Sequence, residues 1–188
     1  MSDLQRETLD EYLLTYEYLT EKISRFDERI EELASVERYE EKVKYMSCLL
    51  GIKTHTALSM IVEVGDFERF EKAPKFASFL GLVPSEDSSD TRVNRYSITK
   101  AGNSHLRRLL VEAAQSYTRG NVGHKSAALK QRQKGNPPEV IAYADKANER
   151  LRRRFYKMTL NKGVNRNVAA IARELACFIW GMMTEPVS

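Results

Sequence analysis

From Asp3 to Leu50 the chain contains neither glycine nor proline, and its apolar residues keep one spacing. Leu9, Tyr12, Tyr16, Leu19, Ile23, Phe26, Ile30 and Leu33 step by 3, 4, 3, 4, 3, 4 and 3. That is the a/d pattern of a coiled coil sustained for more than three heptads, and its 3.5-residue period winds a left-handed seam. The pattern predicts one long helix over residues 3 to about 45, a coiled-coil segment 1–45 followed by a compact helical domain 46–188. A seam of this kind needs a partner, either a second copy of the chain or a helix of the same chain. Tyrosine at successive seam positions departs from the aliphatic packing of ideal dimers. The expectation is a homo-oligomer held through this helix.

Charge divides along the same boundary. Residues 1–41 carry 13 acids against 5 bases, and the rest of the chain 13 acids against 25 bases. A net charge of +4 therefore conceals an acidic arm and a strongly basic body. A basic body is what a polyanion would meet, which makes nucleic acid the expected partner class. No run of about 18 apolar residues exists, so no membrane span is expected. The N-terminus is polar and acidic, unlike a signal peptide. Cys48 and Cys177 are isolated, without CxxC spacing, and His55, His105 and His124 are scattered. Together they argue for a reducing, cytoplasmic setting, against a zinc site, and for no metal or cofactor held by this chain.

Along the body the pattern is helical, and the fold class read from it is all-α. Residues 46–65, MSCLLGIKTHTALSMIVEVG, place an apolar helix end and Gly51 before a second apolar helix from about Thr56 to Val64. This resembles a helix-hairpin-helix, in which a tight glycine turn aims backbone N–H groups at a phosphate. Lys53 stands where the second glycine usually does, and Lys53, Thr54 and His55 are the residues that would face a backbone. An ordinary corner between two core helices is the alternative. Phe67, Phe70, Phe76, Phe79 and Leu80 read as core, Pro74 as a helix start, and Gly81 as the residue ending that helix.

From Gly81 to Arg108 the chain reads GLVPSEDSSDTRVNRYSITKAGNSHLRR. Ser88 and Ser89 lead into a stretch with no acid from Thr91 to Val111, holding Arg92, Arg95, Lys100, Arg107 and Arg108. A hydroxyl pair beside clustered cations is what attack on a phosphodiester needs: a nucleophile and charge to hold the phosphate. A solvated loop leading into a basic helix has the same composition. Thr91 to Ile98 suits a short hairpin arm or an extended strip. Asn103 or Ser104 caps a helix over about 104–118, whose N-terminal N–H groups beside Lys100, Asn103, His105, Arg107 and Arg108 make an anion site. Residues 120–135 read as a loose basic link. Pro137 and Pro138 open a helix to about Leu160 with a second cluster, including Arg152 and Arg153, that either binds a nucleic-acid backbone or solvates a helix face. The last helix, about 165–183, is apolar and closes the core.

The order of these pieces is specific. LLGIKTHTALSMIVEVGDFERF, then ASFLGLVPSEDSS, then ITKAGNSHLRRLLVEAA, then ARELACFIWGMM resembles the C-terminal domain of DEDD-type insertion-sequence transposases, the IS-one-ten and IS-eleven-eleven group, over residues from about 42 to 183. The resemblance implies DNA as substrate and a structured noncoding RNA as a further partner. It also implies an upstream RuvC-like domain whose four acids hold Mg2+, joined through a coiled coil; residues 1–41 match only the coiled coil. It assigns the catalytic serine to Ser89, with Ser88 as neighbour, and phosphate neutralisation to Arg92, Arg95, Lys100, Arg107 and Arg108. Asp90 replaces the glycine that usually follows that serine. Two functions fit these residues: a recombinase fragment with Ser89 as nucleophile, and a non-catalytic nucleic-acid-binding and oligomerisation module.

Overall fold

The structure, a computed structural model, describes residues 2–89, 92–159 and 164–184; of residues 85–89, 92–97, 164 and 165 it describes the backbone only. The chain is helical, as its periodicity predicts, with one short antiparallel ribbon inserted between helices. The elements are α1 (Asp3–Ala34), α2 (Glu37–Met46), α3 (Thr54–Val64), α4 (Ala73–Phe79), β1 (Pro84–Ser89), β2 (Arg92–Ile98), α5 (Ser104–Gln115), a 3-10 turn (Ser116–Thr118), α6 (Ala127–Gln133), α7 (Pro138–Thr159) and α8 (Val164–Thr184).

The single helix expected over 3–45 is two. α1 opens on a capping box, in which Ser2 and Gln5 each satisfy the other's backbone N–H. It closes at Ser35, whose hydroxyl donates back to the Glu31 carbonyl at 2.9 Å. Val36 then turns extended, at φ −69° and ψ 134°, and α2 begins at Glu37. The heptad count could not show this break, because serine and β-branched valine occur both within helices and at their ends. The break has a packing cause: Ala34 is buried and Ile30 packs on the core, so the chain must change direction where α1 meets α3.

The core is built by the apolar faces of α3, α5, α7 and α8, with the end of α2 and the aromatic group of α4. Phe67, Phe70, Phe76 and Phe79 form tilted, edge-on and stacked ring pairs, Phe70 and Phe76 at 5.2 Å between centroids. Trp180 of α8 fixes the turn before α4 by donating to the Phe67 carbonyl at 3.2 Å and to the Phe70 carbonyl at 3.1 Å. These aromatics pack the core, as their spacing indicates.

The turn between α2 and α3 is anchored from α7. Asn148 accepts from the Leu50 N–H and from the Tyr117 hydroxyl, both at 2.8 Å, and donates to the Cys48 carbonyl at 3.2 Å. Gly51 is required there twice over. Its φ is +84°, and a methyl group would lie 2.3 Å from the Ala113 carbonyl oxygen of α5. The glycine turn thus faces the core, and the helix-hairpin-helix reading of residues 46–65 is not confirmed. The link 120–135, read as loose, contains α6, capped by Ser126, whose side chain accepts from the Leu129 N–H.

Candidate nucleic-acid interface

The serine stretch becomes β1 although Pro, Ser, Glu and Asp are weak strand formers. Its partner β2 supplies Val93, Tyr96 and Ile98, and the register pairs Pro84 with Ile98, Glu86 with Arg95, Asp87 with Asn94, Ser88 with Val93 and Ser89 with Arg92. The hairpin-arm alternative for the cationic strip is therefore the one adopted. Ser89 is the last residue of its strand, directly across from Arg92 at the ribbon's tip. Asp90 and Thr91 lie outside the described residues. At about 3.3 Å per residue, the five steps from Pro84 to Ser89 carry the serine roughly 16 Å from the ribbon's base.

The base is a close crossing of two backbone segments. A methyl on Gly81 (φ +67°) would meet the Ala101 oxygen at 2.2 Å, and one on Gly102 (φ +112°) the Phe79 oxygen at 2.1 Å. Hydrogen bonds run across the same crossing: Thr99 N–H to the Val83 carbonyl at 2.9 Å, Lys100 N–H to Gly81 at 3.3 Å and Asn103 N–H to Phe79 at 3.0 Å. Lys100 is held at φ +55°, a left-handed conformation uncommon outside glycine. The ribbon is thus rooted on the end of α4 and the start of α5.

At the start of α5, Asn103 caps by accepting from the Leu106 N–H at 2.9 Å. The anion site expected there already has a carboxylate beside it. Glu63, near the end of α3, accepts from the Asn103 amide at 2.7 Å and binds His105 through its Nδ1. Glu63 and His105 are 42 residues apart, and no local pattern announces the pair. Arg107, expected to face phosphate, is half-buried and donates to the Leu80 carbonyl at 3.1 Å, closing the C-terminus of α4. Lys100 and Arg108 are exposed. Lys53 and His55 are exposed at the other end of α3, where Lys53 occupies the N-cap without a side-chain cap, and Thr54 is half-buried. Ten residues at 1.5 Å each place that end about 15 Å from Glu63, so the structure brings together the cations of the α5 start but not those of α3 with them.

The second basic cluster is largely spent inside the molecule. Arg152 is only 8% exposed and donates to the Asn121 carbonyl at 2.6 Å and the His124 carbonyl at 3.1 Å, fixing the loop before α6. It does not face solvent as the sequence suggests. Arg153 is exposed but ion-paired with Glu149 one turn earlier, and Arg150 and Arg154 both grip Glu174 of α8. Among the described residues no group of three or more His, Cys, Asp or Glu side chains is placed to hold a metal ion. Burial, with Asp145 nearby, pushes the Cys48 thiol up to about 11, which leaves it protonated and unreactive at neutral pH. No described helix is long and apolar enough to cross a membrane.

The stretch holding the ribbon, its glycine crossing and α5 is also the stretch that matches known proteins. Residues 44–130 match the family described as Transposase IS116/IS110/IS902. A putative transposase of Sinorhizobium fredii, y4qE, is 37% identical over 142 residues, which is 74% of this chain and 36% of that protein. The transposase for insertion sequence element IS1533 of Leptospira borgpetersenii is 29% identical over 82% of this chain and 44% of its own length. The transposase for IS1111A of Coxiella burnetii is 30% identical over 88% of this chain and 40% of its own. The chain thus spans about two fifths of the length of these curated relatives. The chain belongs to the IS116/IS110/IS902 family of transposases, and its match is consistent with the C-terminal domain of that group.

Proposed function

We propose that the chain handles DNA in transposition, with Ser89 as the nucleophile toward a DNA phosphodiester. The observation that carries this is the ribbon register, which sets Ser89 across from Arg92 at an extended tip within the family-matched stretch. In the proposed step the Ser89 Oγ attacks phosphorus and an Oγ–P bond forms. The P–O bond to the departing strand breaks, its oxygen takes up a proton, and the serine proton passes to an acceptor. A serine hydroxyl needs such an acceptor because its own pKa is high. His105, held by Glu63, sits on the helix that begins at the ribbon's base, while Ser89 is at the tip. The acceptor would come from a RuvC-like domain, whose acids would hold Mg2+, and this chain alone is expected to bind DNA without completing strand exchange. Lys53, Arg92, Arg95, Lys100 and Arg108 are the cations assigned to phosphate, with His55 beside Lys53 as a further polar contact. A structured RNA as second partner, a cytoplasmic setting and self-association through α1 belong to the same reading.

The experiment is covalent trapping. The chain, supplied with a RuvC-like domain, is incubated with a suicide duplex that cannot be religated. The expected result is a covalent protein–DNA adduct that Ser89→Ala abolishes and Ser88→Ala retains. An adduct that survives Ser89→Ala overturns the assignment. Salt-dependent binding with no adduct in any variant supports the second reading, a non-catalytic nucleic-acid-binding and oligomerisation module. The specific observation behind that reading is the exposed apolar seam of α1.

A further inference from the structure

α1 presents its seam to solvent for most of its length. Every residue from Ser2 to Arg29 is exposed, and the six seam residues from Leu9 to Phe26 range from 44% exposed at Leu9 to 71% at Tyr12. The seam changes character at its end, where Ile30 packs on the core and Ala34 is buried in it. The chain's own body therefore takes up Ile30, leaves Leu33 36% exposed beside the buried Ala34, and leaves the portion from Leu9 to Phe26 open.

We propose that this open portion pairs with the same portion of a second copy, antiparallel, with the two-fold axis between Tyr16 and Leu19. The proposal rests on the self-association reading above and adds its geometry. In an antiparallel coiled coil each a residue faces a d residue of the partner. Centred between Tyr16 and Leu19, that rule sets Leu9 against Phe26, Tyr12 against Ile23 and Tyr16 against Leu19, each twice by symmetry. Every layer then joins one aliphatic to one aromatic side chain, so the layers are alike in volume, which close packing favours. A parallel, in-register pair stacks Tyr12, Tyr16 and Phe26 on themselves and leaves Leu9, Leu19 and Ile23 as thin aliphatic layers, so layer volume is uneven. It also brings both bodies to the same end, where Ile30 already packs on its own core, whereas the antiparallel pair carries them to opposite ends of the shared stretch.

Flanking charge agrees with the antiparallel register. Arg6 and Asp27 occupy e positions that meet across the two-fold, giving two opposite-charge pairs, and Lys22 and Arg29 at g meet the neutral Thr15 and Thr8. A parallel register would instead pair Lys22 with Asp27, so it is the layers and the bodies that decide the direction. Leu13 widens the seam at an e position, and Leu14 and Tyr18 lie outside it. The open seam is complementary to its own reversal in both shape and charge, which is the property of an isologous dimer contact.

Disulfide trapping in the full 188-residue chain tests this, in a Cys177→Ala background with Cys48 fully buried. Leu9→Cys and Phe26→Cys are oxidised separately and as a mixture after subunit exchange. The antiparallel pair predicts at least ten-fold more covalent dimer in the mixture than in either variant alone. Covalent dimer from Leu9→Cys alone overturns the direction in favour of a parallel pair. A sedimenting dimer that no combination cross-links overturns the seam as the interface while leaving self-association intact. A monomer at every concentration overturns self-association itself.

Discussion

A methyl group added to Gly102 would lie 2.1 Å from the Phe79 oxygen, at a φ of +112° that side chains rarely adopt. Gly65 has φ +71° but open space around it. The two positions separate steric need from conformational freedom. Gly65→Ala should cost about 1 kcal/mol, the left-handed strain alone, whereas Gly102→Ala should cost about 3 kcal/mol or more because backbone must also move. Urea midpoints of the two variants check this, and equal costs would mean that the ribbon's base is looser than the crossing implies. Arg152 and Arg153 make a second contrast between neighbours. Arg152→Ala leaves two loop carbonyls short of a charged donor and should lose about 2–4 kcal/mol, while Arg153→Ala, removing an exposed i,i+4 pair, should lose under about 0.5 kcal/mol. The same denaturation series reads both. A third expectation concerns pH. Burial raises the Cys48 thiol from 9.0 to about 11 and raises the Tyr117 hydroxyl as well. A pKa raised on folding gives stability that is complete below the unfolded value and is lost as pH climbs through the folded one. Stability should therefore fall between about pH 9 and pH 11, and Cys48→Ala should flatten part of that fall.

At the level of elements, the sequence was most readable where one face decided the structure. Leu106, Leu109, Leu110, Ala113 and Ala114 mark the buried face of α5, and all of them are buried. Gly81 ends α4 as its position before the loop implies. Short elements were less readable. α6 buries only Leu129 and Gln133, too little for a periodic signal in seven residues. β1 is written in turn residues and becomes a strand because β2 and the glycine crossing hold it. Arg152 sat in a run of three arginines that looks like a solvated face. A count along α7 would have found it, since it falls four residues after Asn148 and three before Phe155, on the edge of the buried stripe. The Glu63–His105 pair carried no signal at all, because only the tertiary fold brings α3 to the start of α5. Asn148 illustrates how one side chain joins elements: Asn148→Ala should orphan the Leu50 N–H and the Tyr117 hydroxyl and cost about 2–4 kcal/mol. Hydrogen exchange should then accelerate at the α2–α3 turn before it does in α8.

For the whole molecule, the division of charge has a spatial counterpart. The acidic residues of the N-terminal arm concentrate on α1, which stands exposed up to its last turns, while the basic excess lies on the body. The bases of the body are not equivalent. Those on α7 are mostly paired with Glu149 and Glu174 or buried, so the DNA-facing positions proposed here are the ribbon with the exposed cations at the start of α5, and separately those at the start of α3. The measurement that tests this most directly is the salt dependence of binding to a fluorescent duplex. Removing one cation that neutralises a phosphate should lower the slope of log affinity against log salt by about 0.9. Lys53→Ala and Arg108→Ala should each lower it by that amount, and Arg153→Ala should leave it nearly unchanged. A slope that responds to Arg153→Ala but not to Lys53→Ala or Arg108→Ala would place the nucleic acid on α7 and contradict the account.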